Sequence, residues 1–301
     1  SLILIRLDGG GIRGYSSLMM LEKLMGVIQK KLGLPSPPLP CECFDIIGGT
    51  STGGIIAILL GRLRMSTAEA LSAYSRVAEL AFTPKVYVPF RPPTLPKYSD
   101  AKLVEAIQRE LKSARASNGD SEALFADGEA VKTIVLAITK VNVNAGPTLF
   151  KTYDVEPAWK DCTIWEVARA TSAATTFFGP IKTGRDNIAF IDAAFGYNNP
   201  CEVLLAEADR AIPGRQTSCI VSIGTGLKGA IGVSPKPFTL LKALTNMATN
   251  SLAVHSRLQE TFSREQPQKY WRFDEDVAIS EIKMDNWKML QSIAGHTHTT
   301  T

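Results

Sequence analysis

A serine stands at the junction of two apolar segments. Ser51 lies between Gly49 and Gly53 in the sequence GTSTG, after the apolar run 44–47 and before the apolar run 55–60. In a G-x-S-x-G elbow the glycines permit a sharp strand-to-helix turn, so the seryl oxygen projects above the sheet and faces the positive end of the helix dipole. The segment therefore predicts a nucleophilic serine, although small residues at this spacing also form ordinary turns without a chemical role.

A second glycine cluster supplies candidate hydrogen-bond donors. Gly9, Gly10 and Gly11 follow the apolar run 2–7 and precede a long helical pattern, which places them at another predicted strand end. Successive glycines can direct several backbone N–H groups at one point, and this geometry stabilises the oxyanion of a tetrahedral intermediate. The same loop could hold a phosphate, yet the chain lacks the G-K-S/T ending of a P-loop and the G-x-G-x-x-G spacing of a dinucleotide fold. An oxyanion hole is the preferred interpretation.

The histidines do not provide an obvious base for such a serine. The chain contains three, His255, His296 and His298. The last two belong to the polar, threonine-rich segment 294–301, which predicts a flexible tail. His255 lies in a helical pattern, where a core or surface role is commoner than catalysis, and only geometry can assign it as a base.

Asp192 is the candidate base with the better position. It ends the apolar run 188–191 and is followed by small residues, so it also lies at a predicted strand end. A carboxylate in hydrogen-bond contact with a seryl oxygen can take its proton when a dry pocket raises the basicity of the carboxylate. The resulting hypothesis is a catalytic dyad of Ser51 and Asp192.

Together these motifs resemble those of the patatin-like phospholipase family. The loop 8–14 (DGGGIRG) is similar to the family's D-G-G-G-x-R-G oxyanion loop, the segment 49–53 to its G-x-S-x-G nucleophile, and Asp192 to its later D-G-A/G aspartate. The resemblance extends to the segments 170–178 and 196–200 and thins out beyond about residue 200. It is strongest toward fungal and plant-type intracellular members.

The resemblance implies an activity and a role for each motif residue. Ser51 would be the acyl-accepting nucleophile, Asp192 its base, and the amides of Gly9, Gly10 and Gly11 the oxyanion hole. The implied activity is hydrolysis of fatty-acyl esters of membrane glycerolipids through an acyl-enzyme, of phospholipase A or lysophospholipase type. It requires no metal ion and no cofactor.

Two motif positions leave alternatives open. Where the family usually has glycine after the aspartate, this chain has Ala193, and a positive φ there would strain the backbone by about 1 kcal/mol. The alternative function is therefore a catalytically weak, lipid-sensing or signalling patatin module of a larger protein. Arg13 suits either a structural carboxylate or a lipid phosphate.

The apolar segments predict the elements that position these residues. Runs that predict strands alternate with helical patterns, at 2–7, 44–48, 132–139, 148–153, 188–191 and 218–223. This alternation predicts a three-layer α/β/α fold with a central, mostly parallel sheet. Apolar spacing predicts a helix over 15–32, and capping boxes predict helix starts at Ser66 and Thr163. With 45% hydrophobic residues, we expect one domain over 1–293.

Composition bears on partners and location. The net charge is +4 and the basic residues are dispersed, which gives nucleic-acid binding little support. Five scattered cysteines without a C-x-x-C pair argue against a disulfide framework and a zinc site, and favour a reducing, cytoplasmic location.

No apolar stretch reaches the roughly 20 residues of a membrane span, and no signal peptide is recognisable, so we expect a soluble protein with at most peripheral membrane contact. Because the first strand begins almost at Ser1, we also expect further domains outside this chain.

The segment 82–98 is rich in prolines and aromatic residues. Its five prolines exclude a regular helix and predict a long loop. One interpretation is a proline-stiffened surface connection. The other is a lid that inserts Tyr87 and Phe90 into lipid while basic residues meet head groups.

Overall fold

Strands alternate with helices along the computed structural model, which describes residues 1–83, 95–128, 131–143, 145–226, 238–274 and 282–300. The strands are β1 (Leu2–Leu7), β2 (Ile46–Thr50), β3 (Lys132–Thr139), β4 (Thr148–Lys151), β5 (Ile181–Thr183), β6 (Ile188–Asp192), β7 (Thr217–Ile223) and β8 (Tyr270–Phe273). The helices are α1 (Gly14–Leu32), α2 (Pro40–Cys43), α3 (Thr52–Ala57), α4 (Thr67–Ala81), α5 (Asp100–Ser113), α6 (Ile164–Thr171), α7 (Ala194–Tyr197), α8 (Cys201–Ala211), α9 (Phe238–Phe262) and α10 (Leu290–Thr300). A π-helical turn, Ile58–Arg62, continues α3, and short 3-10 turns lie at Gly11–Arg13, Arg115–Ser117 and Trp287–Met289.

Hydrogen-bonded pairs join the strands into one mixed sheet along the series β5-β6-β3-β2-β1-β7-β8, and β4 also pairs with β3. The pairs from β3 through β2, β1 and β7 to β8 are parallel, whereas β4 and β6 run antiparallel to β3. This architecture confirms the predicted mostly parallel sheet. Because parallel strands end at the same edge of a sheet, the glycine loop after β1 and Ser51 after β2 lie side by side.

Helices cover both faces of the sheet. Along β1, Ile5 and Leu7 join a buried cluster with α1, α4, α5 and α6, while Leu2 and Leu4 join another with α8 and α9. Successive side chains of a strand point to opposite faces, so an uninterrupted apolar run supports two helical layers. Burial of each such leucine or isoleucine stabilises the fold by roughly 1.5–3 kcal/mol. The predicted α/β/α layering is confirmed.

The predicted elements agree with the structure to within a few residues at each end. All six predicted strands are present, the helix predicted over 15–32 is α1, and both capping boxes form, with Ser66 and Thr163 accepting from the third residue of their helices. Two strands escaped prediction. β5 has only three residues, which is too short for a recognisable apolar run. In β8 the side chains of Tyr270 and Arg272 both donate to the buried Ser222 hydroxyl, so the inward-facing positions of this strand are not purely apolar.

Residues 294–300, for which the sequence predicts a flexible tail, are helical instead. They continue α10, which packs on α1; Ile293 and Thr297 are buried, and the Lys23 ammonium donates to the Thr297 carbonyl at 2.8 Å. Within residues 293–298 only Ile293 and Thr297 are buried, and they lie four positions apart on one side of the helix. Two residues, one of them polar, are too few to be recognised as hydrophobic periodicity in the sequence. His296 and His298 lie on the exposed side of the helix. None of the helices in the described ranges is both long and apolar enough to cross a membrane.

Candidate active site

Strand β3 brings the carboxyl ends of β2 and β6 together. The register pairs Thr50 with Leu136 and Asp192 with Ala137, and both pairs use the edge of β3 opposite β4. Because Leu136 and Ala137 are neighbours, the two strands approach each other end to end along β3. Ser51 directly follows Thr50, so this strand pairing places Ser51 next to Asp192.

The predicted pair is in hydrogen-bond contact. Ser51 Oγ donates to Asp192 Oδ2 at 2.5 Å, and the Ala194 amide donates to Asp192 Oδ1 at 2.8 Å. Asp192 is 1% exposed, and this burial raises its pKa to about 7, against the opposing effect of the bonds from Ser51 and Ala194. A carboxylate with this pKa is a far stronger base at neutral pH than an exposed aspartate, so it can take a proton from the serine.

The backbone at Ser51 has the shape of a nucleophile elbow. Ser51 has φ 57° and ψ −128°, an unfavourable conformation for a residue with a side chain, which costs of order 1–3 kcal/mol. A β-carbon on Gly53 would collide with the Leu7 carbonyl of β1, and one on Gly49 would collide with the Gly53 carbonyl. Close backbone approach, not a positive φ, is therefore what requires glycine at these two predicted elbow positions.

The alanine after the aspartate fits its position without strain. Ala193 has φ −76° and ψ −6°, in the right-handed helical region, and it is fully buried. The positive φ that would make alanine costly does not occur here. The departure from the family's usual glycine therefore leaves the backbone around Asp192 undistorted.

The glycine loop lies beside Ser51, but its three amides are not equivalent. The Gly10 amide donates to Thr52 Oγ1 at 3.0 Å. The amides of Gly9, Gly11 and Thr52 donate to no acceptor in the described part of the chain. Gly11 has φ +59°, its carbonyl accepts from the Tyr74 hydroxyl at 2.5 Å, and it lines the same pocket as Ser51.

Arg13 and Asp8 lie beneath the glycine loop. Arg13 is 2% exposed, its Nε donates to the Gly10 carbonyl at 3.4 Å, and burial lowers its pKa to about 10. Asp8 is 1% exposed, pairs with Arg6, and accepts from Arg272 at 2.9 Å. Neither side chain reaches the pocket beside Ser51, which favours the structural alternative for Arg13.

An apolar pocket adjoins the pair. It encloses about 570 Å³ of empty space, a volume that includes its opening to solvent. Besides Ser51 and Asp192, its walls are mainly apolar: Phe82, Ala174, Phe177, Phe178, Ala194, Phe195 and Met284. Phe82 stacks edge-on against Tyr98, with ring centroids 5.2 Å apart, so both ends of the predicted loop 82–98 are anchored. Tyr87 and Phe90, on which the lid interpretation depends, lie outside the described residues.

Sequence reasoning missed two polar residues, one bonded to the elbow and one beside the glycine loop. Thr171 Oγ1 accepts from the Ser51 amide at 2.8 Å and donates to the Leu136 carbonyl at 2.7 Å. Asn198 is fully buried; its oxygen lies 2.7 Å from the point where a β-carbon on Gly9 would stand, and its Nδ2 donates to Ser251 Oγ at 2.8 Å. Both belong to segments that resemble the family, and that resemblance was the available signal.

His255 is not part of this site. Its Nδ1 lies 3.1 Å from the Tyr270 hydroxyl, and it does not line the pocket that contains Ser51. Among the residues that the structure describes, no group of three or more histidine, cysteine, aspartate or glutamate side chains is arranged to hold a metal ion.

Comparison with known proteins identifies the family of this chain. The chain is 28% identical to calcium-independent phospholipase A2-gamma of Rattus norvegicus over 309 aligned positions, which cover 96% of this chain and 37% of that protein. It is 31% identical to the cGAMP-activated phospholipase of Vibrio cholerae over 210 positions (69% of this chain, 58% of that protein), and 26% identical to Patatin-17 of Solanum cardiophyllum over 178 positions (58% and 43%). The chain thus spans less than two thirds of each of these relatives. A family model described as patatin-like phospholipase matches residues 5–205, and this chain therefore belongs to the patatin-like phospholipase family.

Proposed function

We propose that this chain is a serine acyl hydrolase that cleaves fatty-acyl esters of membrane glycerolipids, of phospholipase A or lysophospholipase type. The observation that carries the proposal is the 2.5 Å hydrogen bond from Ser51 Oγ to the buried Asp192 carboxylate, beside a pocket with apolar walls. The phospholipase names of the relatives support the same substrate class. No metal ion or cofactor has a role in this proposal.

The proposed reaction has two halves. Asp192 takes the proton of Ser51 while Ser51 Oγ attacks the acyl carbonyl carbon, and a tetrahedral oxyanion forms. Collapse of this intermediate breaks the ester bond, and the departing alcohol of the lipid receives the proton from Asp192. Water then attacks the acyl-enzyme, its proton passes to Asp192 and on to Ser51, and the fatty acid leaves.

The oxyanion is proposed to form at the glycine loop and the start of α3. The amides of Gly11 and Thr52 belong to pocket-lining residues, and with the Gly9 amide they have no acceptor among the described residues. The Gly10 amide could contribute only after leaving Thr52 Oγ1. One such donor is commonly worth roughly 2.7–4 kcal/mol of transition-state stabilisation.

The surroundings of the enzyme also belong to the proposal. We propose that it acts at the surface of membranes from the cytoplasm, through peripheral contact. Because the chain spans only 37% of calcium-independent phospholipase A2-gamma, we propose that the full-length protein has further domains. Nucleic acid has no place in this function.

The experiment that tests the proposal compares the parent with Ser51→Ala and Asp192→Asn. Hydrolysis of a short soluble acyl ester and of phospholipid vesicles is measured with a chelator present. We expect both variants to lose roughly 10³-fold or more in kcat while remaining folded. The matched controls Ser256→Ala and Asp161→Asn replace exposed residues and should retain full activity.

A folded but inactive parent would contradict the proposal. Vesicle binding without turnover would then favour the alternative, a lipid-sensing or signalling patatin module. That alternative drew its sequence support from Ala193, whose right-handed φ of −76° provides no strain to weaken the site.

A further inference from the structure

We propose that Met284 sets the size of the acyl group that the Ser51 pocket admits, and that Asp285 holds Met284 in place. This inference rests on the proposed function and identifies a determinant of its substrate range. Met284 lies outside residues 5–205, the part of the chain that the family model matches. Its side chain is nevertheless buried in the wall of the pocket that contains Ser51 and Asp192.

The backbone around Met284 is bound to the glycine loop. The Ile12 amide donates to the Met284 carbonyl at 2.8 Å. A β-carbon on Gly11 would collide with that carbonyl, so the segment 282–286 lies directly against the loop. The backbone of Met284 is therefore held against the loop that carries the proposed oxyanion donors.

Asp285 provides the second attachment of this segment. Its side chain is 9% exposed, accepts from the Tyr98 hydroxyl at 2.8 Å, and forms an ion pair with Lys97. The Tyr98 ring packs on Phe82 and Phe178, with centroids 5.2 and 5.9 Å away, and both phenylalanines line the pocket. Asp285 is therefore a positioning residue that ties Met284 to the aromatic wall.

An acyl chain that enters this pocket must share its space with the Met284 side chain. Methionine is long and unbranched, and it fills irregular gaps between apolar groups. Alanine lacks its last three heavy atoms, which leaves room for about three methylene groups, each worth a factor of roughly 4 when buried. Met284→Ala is therefore expected to favour longer chains by roughly 10-fold or more, and Met284→Trp to disfavour them.

The test uses binding as well as turnover. Calorimetric titration measures the affinities for laurate and octanoate in a Ser51→Ala background, with and without Met284→Ala. In parallel, kcat/KM is measured for the p-nitrophenyl esters of the same acids with Ser51 intact. Both laurate-to-octanoate ratios should rise roughly 10-fold or more with Met284→Ala and fall with Met284→Trp. Lys283→Ala, an exposed neighbour, is the control and should leave both ratios as in the parent.

Asp285 is tested through the same ratios. Asp285→Ala removes the acceptor for Tyr98 and should shift the ratios in the direction of Met284→Ala, whereas Asp285→Asn keeps an acceptor oxygen and should return them toward the parent. An unchanged affinity ratio in Met284→Ala, with an unchanged melting temperature, would overturn the inference. If the parent showed no Ser51-dependent ester hydrolysis, the proposed function would be contradicted instead. The two failures can be told apart because the affinity ratio is measured without turnover.

Discussion

Replacing Asp192 by asparagine is expected to change how the stability of the protein depends on pH. The substitution removes a fully buried carboxyl group whose pKa is raised by burial from its ordinary value of 3.8 to about 7. An asparagine oxygen can still accept from the Ala194 amide, which in the parent donates to Asp192 at 2.8 Å. The main loss is therefore the ionisation, and the packing is largely retained.

The size of the effect follows from the difference between the folded and unfolded pKa values of Asp192. The folded parent holds the proton more tightly than the unfolded chain, so this stabilisation is fully present below pH 3.8 and is lost as the pH rises through about 7. Between pH 5 and pH 8 the loss amounts to about 2–3 kcal/mol of the free energy of unfolding. Asp192→Asn has no such loss, so its stability relative to the parent should rise by that amount.

Urea denaturation of both proteins at several pH values measures this difference directly. Comparing variant with parent at each pH cancels the titration of all other groups that the two share. Asp161→Asn is the matched control: its carboxylate is exposed, and its difference from the parent should stay flat. If the difference in unfolding free energy between Asp192→Asn and the parent stayed constant within about 0.5 kcal/mol between pH 5 and pH 8, burial would not disfavour the ionised form of Asp192, and the reasoning would be refuted.

Three further outcomes are expected. The kcat/KM for a soluble ester should rise with pH to a plateau above an apparent pKa of about 7, because only the ionised Asp192 accepts the serine proton; a flat profile would contradict this role. Gly53→Ala should lose about 3 kcal/mol of unfolding free energy, because its new β-carbon meets a backbone carbonyl, whereas Gly26→Ala in open space within α1 should gain about 1 kcal/mol; equal melting temperatures would argue against the close approach. Arg272→Met should lose about 3–5 kcal/mol in urea denaturation, because it removes the buried guanidinium that forms ion pairs with both Asp8 and Asp274; a loss under 1 kcal/mol would show that the cluster does not need this charge.

The fold could be predicted where the pattern is local. Uninterrupted apolar runs such as 132–139 identify strands that are buried on both faces, and the capping box at Ser66 marks a helix start, because each signal lies within one element. Strand β8 could not be found this way. Its inward-facing Arg272 is polar, and a buried strand can hold it because Asp8, which is distant in sequence, and Asp274 both accept its hydrogen bonds.

The sequence alone determined the strand-to-helix turn at Ser51, the glycine-rich strand end at Gly9–Gly11 and the family resemblance, because these depend on residues adjacent along the chain. Tertiary structure decided that Ser51 and Asp192, separated by 141 positions, meet along one edge of β3. The packed structure also buries Asp192, which raises its pKa to about 7, and it makes Met284 part of the pocket wall. Burial and end-to-end strand contact are properties of the packed sheet, and no local run of residues encodes them.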